Sequence, residues 1–247
     1  MDNAEKDAIR TIIKKIRKEL LGLEEIVGDS QPATPHPQFP FKEVSIPNYV
    51  IIIGHANTAQ GAYSEGLAKT EYGFNSDVAD KMLELHNKAG FLKAAFDLSV
   101  VTRDGKTIRQ AYQEALETEP EAIIELHFNS FFSNDANGME VLINQAAPDK
   151  TADLASTFLT HLKLDFEFRN RGIKRVKLGQ RGYHNVTYAD DVPSILIEPF
   201  FGSSPSDVAK LKTGGGVDGL AKSYLDALYT FTTVEPIKYS SNEPNIV

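Results

Sequence analysis

An α/β layered domain is the fold this sequence predicts: a mixed, mostly parallel sheet with helices on both faces, preceded by an N-terminal amphipathic helix. Three observations carry that expectation. From Asn48 onward, short runs rich in Ile, Val and Leu alternate with longer stretches of helical periodicity, which is the pattern of strands joined by helical crossovers. The runs themselves (YVIII, AIIEL, SILI) are apolar almost throughout, as strands covered on both faces must be. The chain has 247 residues, 41% hydrophobic and 24% charged, which suits one substantial domain with an appendage and excludes disordered or fibrous classes for the whole.

Taken in order, the first element covers residues 1–28. Ile9, Ile13, Ile16, Leu20, Leu23 and Val27 recur every three or four positions and share one helical stripe. That stripe either packs on the main domain or joins two chains as a short coiled coil, giving a homo-oligomer. Residues 29–47 carry Pro32, Pro35, Pro37, Pro40 and Pro47, a density that forbids regular helix or central strand and predicts a linker or strap. The main domain spans 48–232. Its expected strands are Tyr49–Ile53, Lys93–Val101, Ala122–Phe128, Met139–Asn144 and Ser194–Pro199. Its expected helices are Asn75–Ala89, Lys106–Glu117, Lys150–Leu164 and Ser206–Thr230, the last with an interruption at Gly214-Gly215-Gly216. Residues 233–247 are polar with two prolines and are read as a surface tail.

Charge and composition narrow the chemistry. Twenty-six basic against 34 acidic residues leave a net charge of −8, which argues against nucleic-acid binding and against an anionic membrane surface, both of which draw on Lys and Arg. The absence of cysteine removes disulfides, thiolate metal sites and cysteine nucleophiles together, so any metal must be held by His, Asp or Glu. No apolar run approaches the roughly 20 residues of a membrane helix, and the acidic start MDNAEKDAIR is unlike a secretory signal. Cytoplasmic synthesis without a leader and no membrane insertion are therefore expected. No Gly-x-Ser-x-Gly elbow is present, so serine hydrolysis is unsupported.

In open α/β sheets ligands gather at the carboxyl ends of strands. Three such ends carry chemistry: YVIII runs into Gly54-His55, AIIEL into His127-Phe128-Asn129-Ser130, and SILI into Glu198-Pro199-Phe200-Phe201. Two His and one Glu ending three separate strands are the raw material of a metallohydrolase, which uses three His, Asp or Glu ligands plus a carboxylate that moves protons. Glu71, 16 residues after His55 in a Gly-containing loop, can fold back to join them. Glu125 lies two residues before His127 and shares its face of the strand. It either orients that His or competes with Glu71 as a ligand. His184, in the polar segment Gly182-Tyr183-His184-Asn185, is a candidate for substrate contact. His86 and His161 are read as ordinary helical residues, and Lys174-Arg175-Val176-Lys177 as a solvated basic patch.

Gly54-His55, Gly61-Ala62, Glu71 through Ala79 (EYGFNSDVA), Thr102-Arg103, Arg109, Leu126-His127-Phe128-Asn129-Ser130 and Leu196-Ile197-Glu198, in that order, resemble the amidase 3 type of zinc-dependent N-acetylmuramoyl-L-alanine amidases over about residues 49–230. The resemblance implies one Zn²⁺ per chain bound by His55, Glu71 and His127, with Glu198 as catalytic carboxylate. It also implies a peptidoglycan substrate, with Asn129 and Arg109 close to it. It suggests cell-wall lysis or remodelling of the kind performed by phage or prophage endolysins. Another zinc amidohydrolase or a carboxypeptidase on a related scaffold, and a non-catalytic wall-binding protein, remain as alternatives. The chain departs from the family pattern at Ala56-Asn57, at Pro199 and in lacking the Asn that follows Arg109 in the helix motif.

Overall fold

The computed structural model describes residues 46–189 and 191–233. The predicted helix 1–28, most of the strap and the tail after Thr233 lie outside them. In chain order the elements are β1 (Asn48–Ile53), the hairpin β2 (Tyr63–Ser64) and β3 (Lys69–Thr70), α1 (Glu71–Lys88), α2 (Gly90–Ala95), β4 (Asp97–Val101) and α3 (Ile108–Leu116). They continue with β5 (Ala122–Leu126), β6 (Met139–Asn144), α4 (Asp149–Phe166), β7 (Asn170–Val176), α5 (Tyr183–Thr187), β8 (Ser194–Glu198), α6 (Pro205–Thr213) and α7 (Gly216–Thr233).

Six strands form one sheet in the order β4-β1-β5-β8-β6-β7. β1 runs parallel to β4 and β5, and β5 parallel to β8. β6 runs antiparallel to β8 and parallel to β7. The sheet is therefore mixed and mostly parallel, as expected. Side-chain alternation divides the core between its two faces. Tyr49, Ile51 and Ile53 of β1 pack with Ile124 and Leu126 of β5 against α1, α4 and α7. Val50 and Ile52 pack with Ile123 against Ala111, Tyr112 and Ala115 of α3. Leu142 and Leu196 meet Val186 of α5 on that second side. Burying an aliphatic side chain contributes about 1.5–3 kcal/mol, and β1, β5 and β8 are apolar and buried on both sides. They form a rigid base from which the strand ends project.

Several boundaries differ from the sequence-based expectation, each for a local reason. Residues 93–96 are not strand: Gly90–Ala95 form a helix and β4 begins at Asp97. Phe91-Leu92-Lys93-Ala94-Ala95 contains no β-branched residue and two Ala, which favour helix. The strands before His127 and Pro199 end at Leu126 and Glu198. The C-terminal helical region is two helices, α6 and α7, parted at Gly214-Gly215 as the interruption predicted. A Cβ at Gly214 would stand 2.4 Å from the Phe166 ring. The basic patch is edge strand β7, paired among the described residues only with β6. Exposed Lys and Arg on such an edge discourage pairing with another chain, and they also masked its strand character in the sequence.

Candidate active site

The register of β1 against β5 places Ile53 beside Leu126, and the Gly54 amide donates to the Leu126 carbonyl at 2.9 Å. Gly54 therefore lies directly against His127, and a Cβ there would stand 2.5 Å from its Nε2. The next residue, His55, has φ of 67°, a left-handed conformation uncommon for non-glycine residues and often met at functional sites. Glu71 is not in a loop, as the sequence had suggested. It is the first residue of α1, capped by the Thr70 hydroxyl, which accepts from the Gly73 amide. The cap and the β2–β3 hairpin turn the helix start back over the strand ends. Glu71 and Tyr72 amides donate to the Ala62 and Gln60 carbonyls at 2.8 and 3.0 Å.

Glu71 bridges the two histidines. Its Oε2 lies 3.0 Å from His55 Nε2 and its Oε1 lies 2.8 Å from His127 Nδ1. Amides of Ala62 and Phe128 donate to the same carboxylate at 3.3 and 3.2 Å. One donor atom from each of His55, Glu71 and His127 lies within 4.8 Å of the other two, so these residues form a group able to hold a metal ion. Two imidazole nitrogens and a carboxylate match the donor set of catalytic divalent-metal sites. Room for it is kept by Gly61 at φ of 75°, where a Cβ would stand 2.7 Å from both Glu71 Oε2 and His55 Nε2. Burial alone would raise the pKa of Glu71, but hydrogen bonding to His127 and His55 holds it at about 2. Burial works to lower that of His127, and the carboxylates of Glu125 and Glu71 outweigh it and push it to about 10.

Glu125 stands on the far side of the His127 ring, its Oε1 3.2 Å from Nε2. It is fully buried and held by the Tyr112 hydroxyl at 2.9 Å and by Asn185 Nδ2 at 2.8 and 2.9 Å. Arg103 Nη1 approaches at 3.8 Å. Burial and the charge of Glu125 raise the Tyr112 pKa well above its ordinary value, so this hydroxyl stays protonated and donates. Of the two roles open to Glu125 in the sequence, its contacts match that of orienting His127.

Because Leu126 pairs with Ile197, the next residues along, His127 and Glu198, come side by side at the strand ends. Glu198 is 2% exposed. Arg181 Nη2 donates to its Oε1 at 2.9 Å, whereas its Oε2 is buried with no hydrogen-bond partner among the described residues. Burial raises its pKa to about 7 against the lowering influence of His127 and Arg181. Arg181 also donates through Nη1 to Asn129 Oδ1 at 3.1 Å. Asn129 Nδ2 donates to Glu140 at 2.9 Å, and Glu140 is gripped by Arg171 Nε at 2.8 Å.

Not every candidate reaches this cluster. Arg109 lies on the exposed side of α3, its guanidinium 5.0 Å from the centre of the Tyr188 ring, and Arg103 is the arginine that approaches Glu125. His184 is exposed and stacks on Tyr188, while its neighbour Asn185 faces the site. His86 and His161 are buried helical residues, bonded to the Phe96 carbonyl and the Thr230 hydroxyl. Sequence reasoning passed over Tyr112, Arg181 and Asn185. Arg181 sits between two glycines in a segment with no periodicity, and only the folded turn brings it to Glu198. Among the described residues no helix is long and apolar enough to cross a membrane.

Known proteins resemble this chain in sequence and in fold. The amidase LytC of Bacillus subtilis (strain 168) is 26% identical over 184 residues, covering 72% of this chain and 34% of LytC. This chain thus spans about a third of that relative's length. An N-acetylmuramoyl-L-alanine amidase from Clostridium difficile 630 superposes with a TM-score of 0.64 at 22% identity, over 78% of this chain and 100% of the other. The catalytic domain of CwlV from Bacillus (Paenibacillus) polymyxa var. colistinus gives 0.61 at 19% identity, over 76% and 99%. The family profile described as N-acetylmuramoyl-L-alanine amidase matches residues 50–230, the span that runs from within β1 to within α7 and holds every residue of the cluster. The chain therefore belongs to the amidase 3 family of N-acetylmuramoyl-L-alanine amidases.

Proposed function

We propose that this protein hydrolyses the amide between the lactyl carbonyl of N-acetylmuramic acid and L-alanine in peptidoglycan, with Zn²⁺ held by His55 Nε2, Glu71 and His127 Nδ1. Family membership supports the bond. The donor set supports the ion, because two neutral imidazoles and one carboxylate leave a divalent metal electrophilic, where thiolates would quench it. A zinc ion bound there supplies Lewis acidity and lowers the pKa of water.

The chain's own residues do the rest. Glu198 is the catalytic carboxylate: it accepts a proton from the attacking water, whose oxygen adds to the carbonyl carbon. It then returns the proton to the alanine nitrogen as the carbon–nitrogen bond breaks. The buried, unpartnered Oε2 of Glu198 beside the His-Glu-His group is the observation that carries this assignment. Such an oxygen is costly to bury unless a proton, water or substrate meets it. Glu125 takes the Nε2 proton of His127 in hydrogen bond, so that Nδ1 would be the atom offered to a metal, the arrangement by which carboxylates commonly orient metal-bound imidazoles. The same reading places the protein's work at the cell wall, in lysis or remodelling.

Digestion of purified muropeptides followed by mass spectrometry tests the proposal. The expected products are intact N-acetylmuramic acid and a peptide with a new L-alanine amino terminus, formation of which stops with chelator and resumes on zinc addition. A new amine elsewhere in the peptide, or cleavage indifferent to chelator, would overturn it.

A further inference from the structure

Arg181 meets Glu198 from the outside. Its side chain is 64% exposed where that of Glu198 is 2%, so the guanidinium lies at the solvent-facing rim of the site. It is placed there by a tight turn in which Gly179 and Gly182 have φ of 87° and 77°. Gly182 sits so close to Leu142 that a Cβ would stand 2.5 Å from its side chain. The fork is also braced from below through Asn129, Glu140 and Arg171. A cation beside a proton-transferring carboxylate weakens it as a base, so proton transfer alone gives no reason for the pairing.

We propose that Arg181 binds a carboxylate of the leaving peptide, that of its second residue, and that the ion pair with Glu198 is the arrangement it takes when no substrate is present. The proposal rests on the amidase reading above. If Glu198 serves the alanine nitrogen, the α-carboxylate carbon of the next residue is at most about 7 Å from that nitrogen, since consecutive Cα atoms are about 3.8 Å apart and one bond of about 1.5 Å is added at each end. A guanidinium hydrogen-bonded to Glu198 lies within that reach. Each later residue of an extended peptide is about 3.3–3.6 Å farther off. In muropeptides the second residue is an acid joined onward through its side chain, so its α-carboxylate is either free or amidated. The two forms are nearly the same shape and differ by one charge. A planar fork of N–H donors matches a carboxylate in two-point contact and matches a primary amide poorly.

The test uses paired muropeptides with the second residue as free acid or primary amide, measuring kcat and KM for the zinc-loaded wild type, Arg181→Ala and Arg181→Lys. Calorimetry of the released peptide, its second residue still joined through the side chain to a third and its α-carboxyl either free or amidated, against the metal-free protein gives a second, non-catalytic readout. The wild type is expected to favour the acid by about 10- to 100-fold in KM and Kd, the range of a charge-assisted hydrogen-bonded pair. Arg181→Ala should lose that preference on both readouts, and Arg181→Lys should keep part of it. The exposed position of Arg181 makes both variants compatible with the fold, which circular dichroism would verify. Equal values for acid and amide in the wild type, a preference that survives in Arg181→Ala, or a fall in kcat shared by both substrates at constant ratio would each overturn the assignment and leave the amidase reading standing. Failure of the zinc-loaded wild type to cleave either substrate would remove the amidase reading itself, and this assignment with it.

Discussion

Glu125 and Glu71 grip opposite nitrogens of one ring: Glu125 Oε1 is 3.2 Å from His127 Nε2, and Glu71 Oε1 is 2.8 Å from His127 Nδ1. The imidazole is thereby fixed in rotation, with the Nδ1 edge turned toward His55 and Glu71. Removing the outer grip is expected to loosen metal binding without touching a ligand. Glu125→Ala should weaken zinc affinity by about 10- to 100-fold, measured by competition with a chromophoric chelator. Glu125→Gln, which keeps an acceptor oxygen, should lose less. Equal affinity in wild type and Glu125→Ala would show that the contact does not orient the ring.

Metal uptake is expected to release protons. In the metal-free site His127 is pushed to about 10, so near neutral pH it carries a second proton that must leave before Nδ1 can act as a ligand. Glu71, held at about 2, is already ionised and contributes none. The sign follows: apparent zinc affinity rises with pH across the neutral range. Calorimetric titration in buffers of different ionisation enthalpy should find about one proton released per ion bound. No buffer dependence would mean that His127 is neutral before the metal arrives.

The pH–rate profile should have its acid limb set by Glu198. Burial raises this group to about 7, against an ordinary carboxylate value of about 4.3, and only its ionised form can take a proton from water. Activity should therefore fall as pH drops through the limb, which lies at or somewhat below 7 because a bound divalent cation favours the ionised form. Glu198→Gln should abolish the limb together with most of kcat while zinc content stays near that of the wild type. A fully active Glu198→Gln protein would remove this carboxylate from the reaction.

Gly61 should be intolerant of any side chain. Its φ of 75° and the 2.7 Å approach of a Cβ to Glu71 Oε2 and His55 Nε2 mean that Gly61→Ala must displace one ligand candidate or the loop that carries it. Zinc affinity is expected to fall at least tenfold, with a loss of stability of about 1 kcal/mol or more from the left-handed backbone alone. Thermal melting with and without zinc would separate the two effects. A variant that binds zinc like the wild type would show that the loop yields freely.

Much of this architecture was legible in the sequence because burial is written there directly. YVIII, AIIEL and SILI stand out as strands covered on both faces, and the polar residues that end them stand out in turn. The meeting of His55, His127 and Glu198 at the strand ends was legible for that reason, and the place of Glu125 on the same face as His127 followed from strand alternation. Edge strand β7 was not, since its outer side is wet and its Arg and Lys residues look like a loop. Nor was the start of α1 at Glu71, where Thr70 caps the helix ahead of the apolar stripe that begins at Phe74. The partners of Glu125 and Glu198 were hidden for a different reason. Tyr112, Arg181 and Asn185 reach the site from α3, a glycine turn and α5, and their convergence depends on how those elements lie across the sheet, which local pattern does not encode. Arg109 shows the reverse case: a residue carried by a motif whose side chain here turns to Tyr188.

If His55, Glu71 and His127 share one zinc ion, X-ray absorption at the zinc edge reads their donors in the metal's own shell. The loaded wild-type protein should hold one zinc per chain, with two imidazole nitrogens and carboxylate oxygen at about 2.0–2.2 Å, and His55→Ala and His127→Ala should each lose one imidazole from that shell or lose the metal. A shell without imidazole, or a spectrum left unchanged by both substitutions, would contradict it.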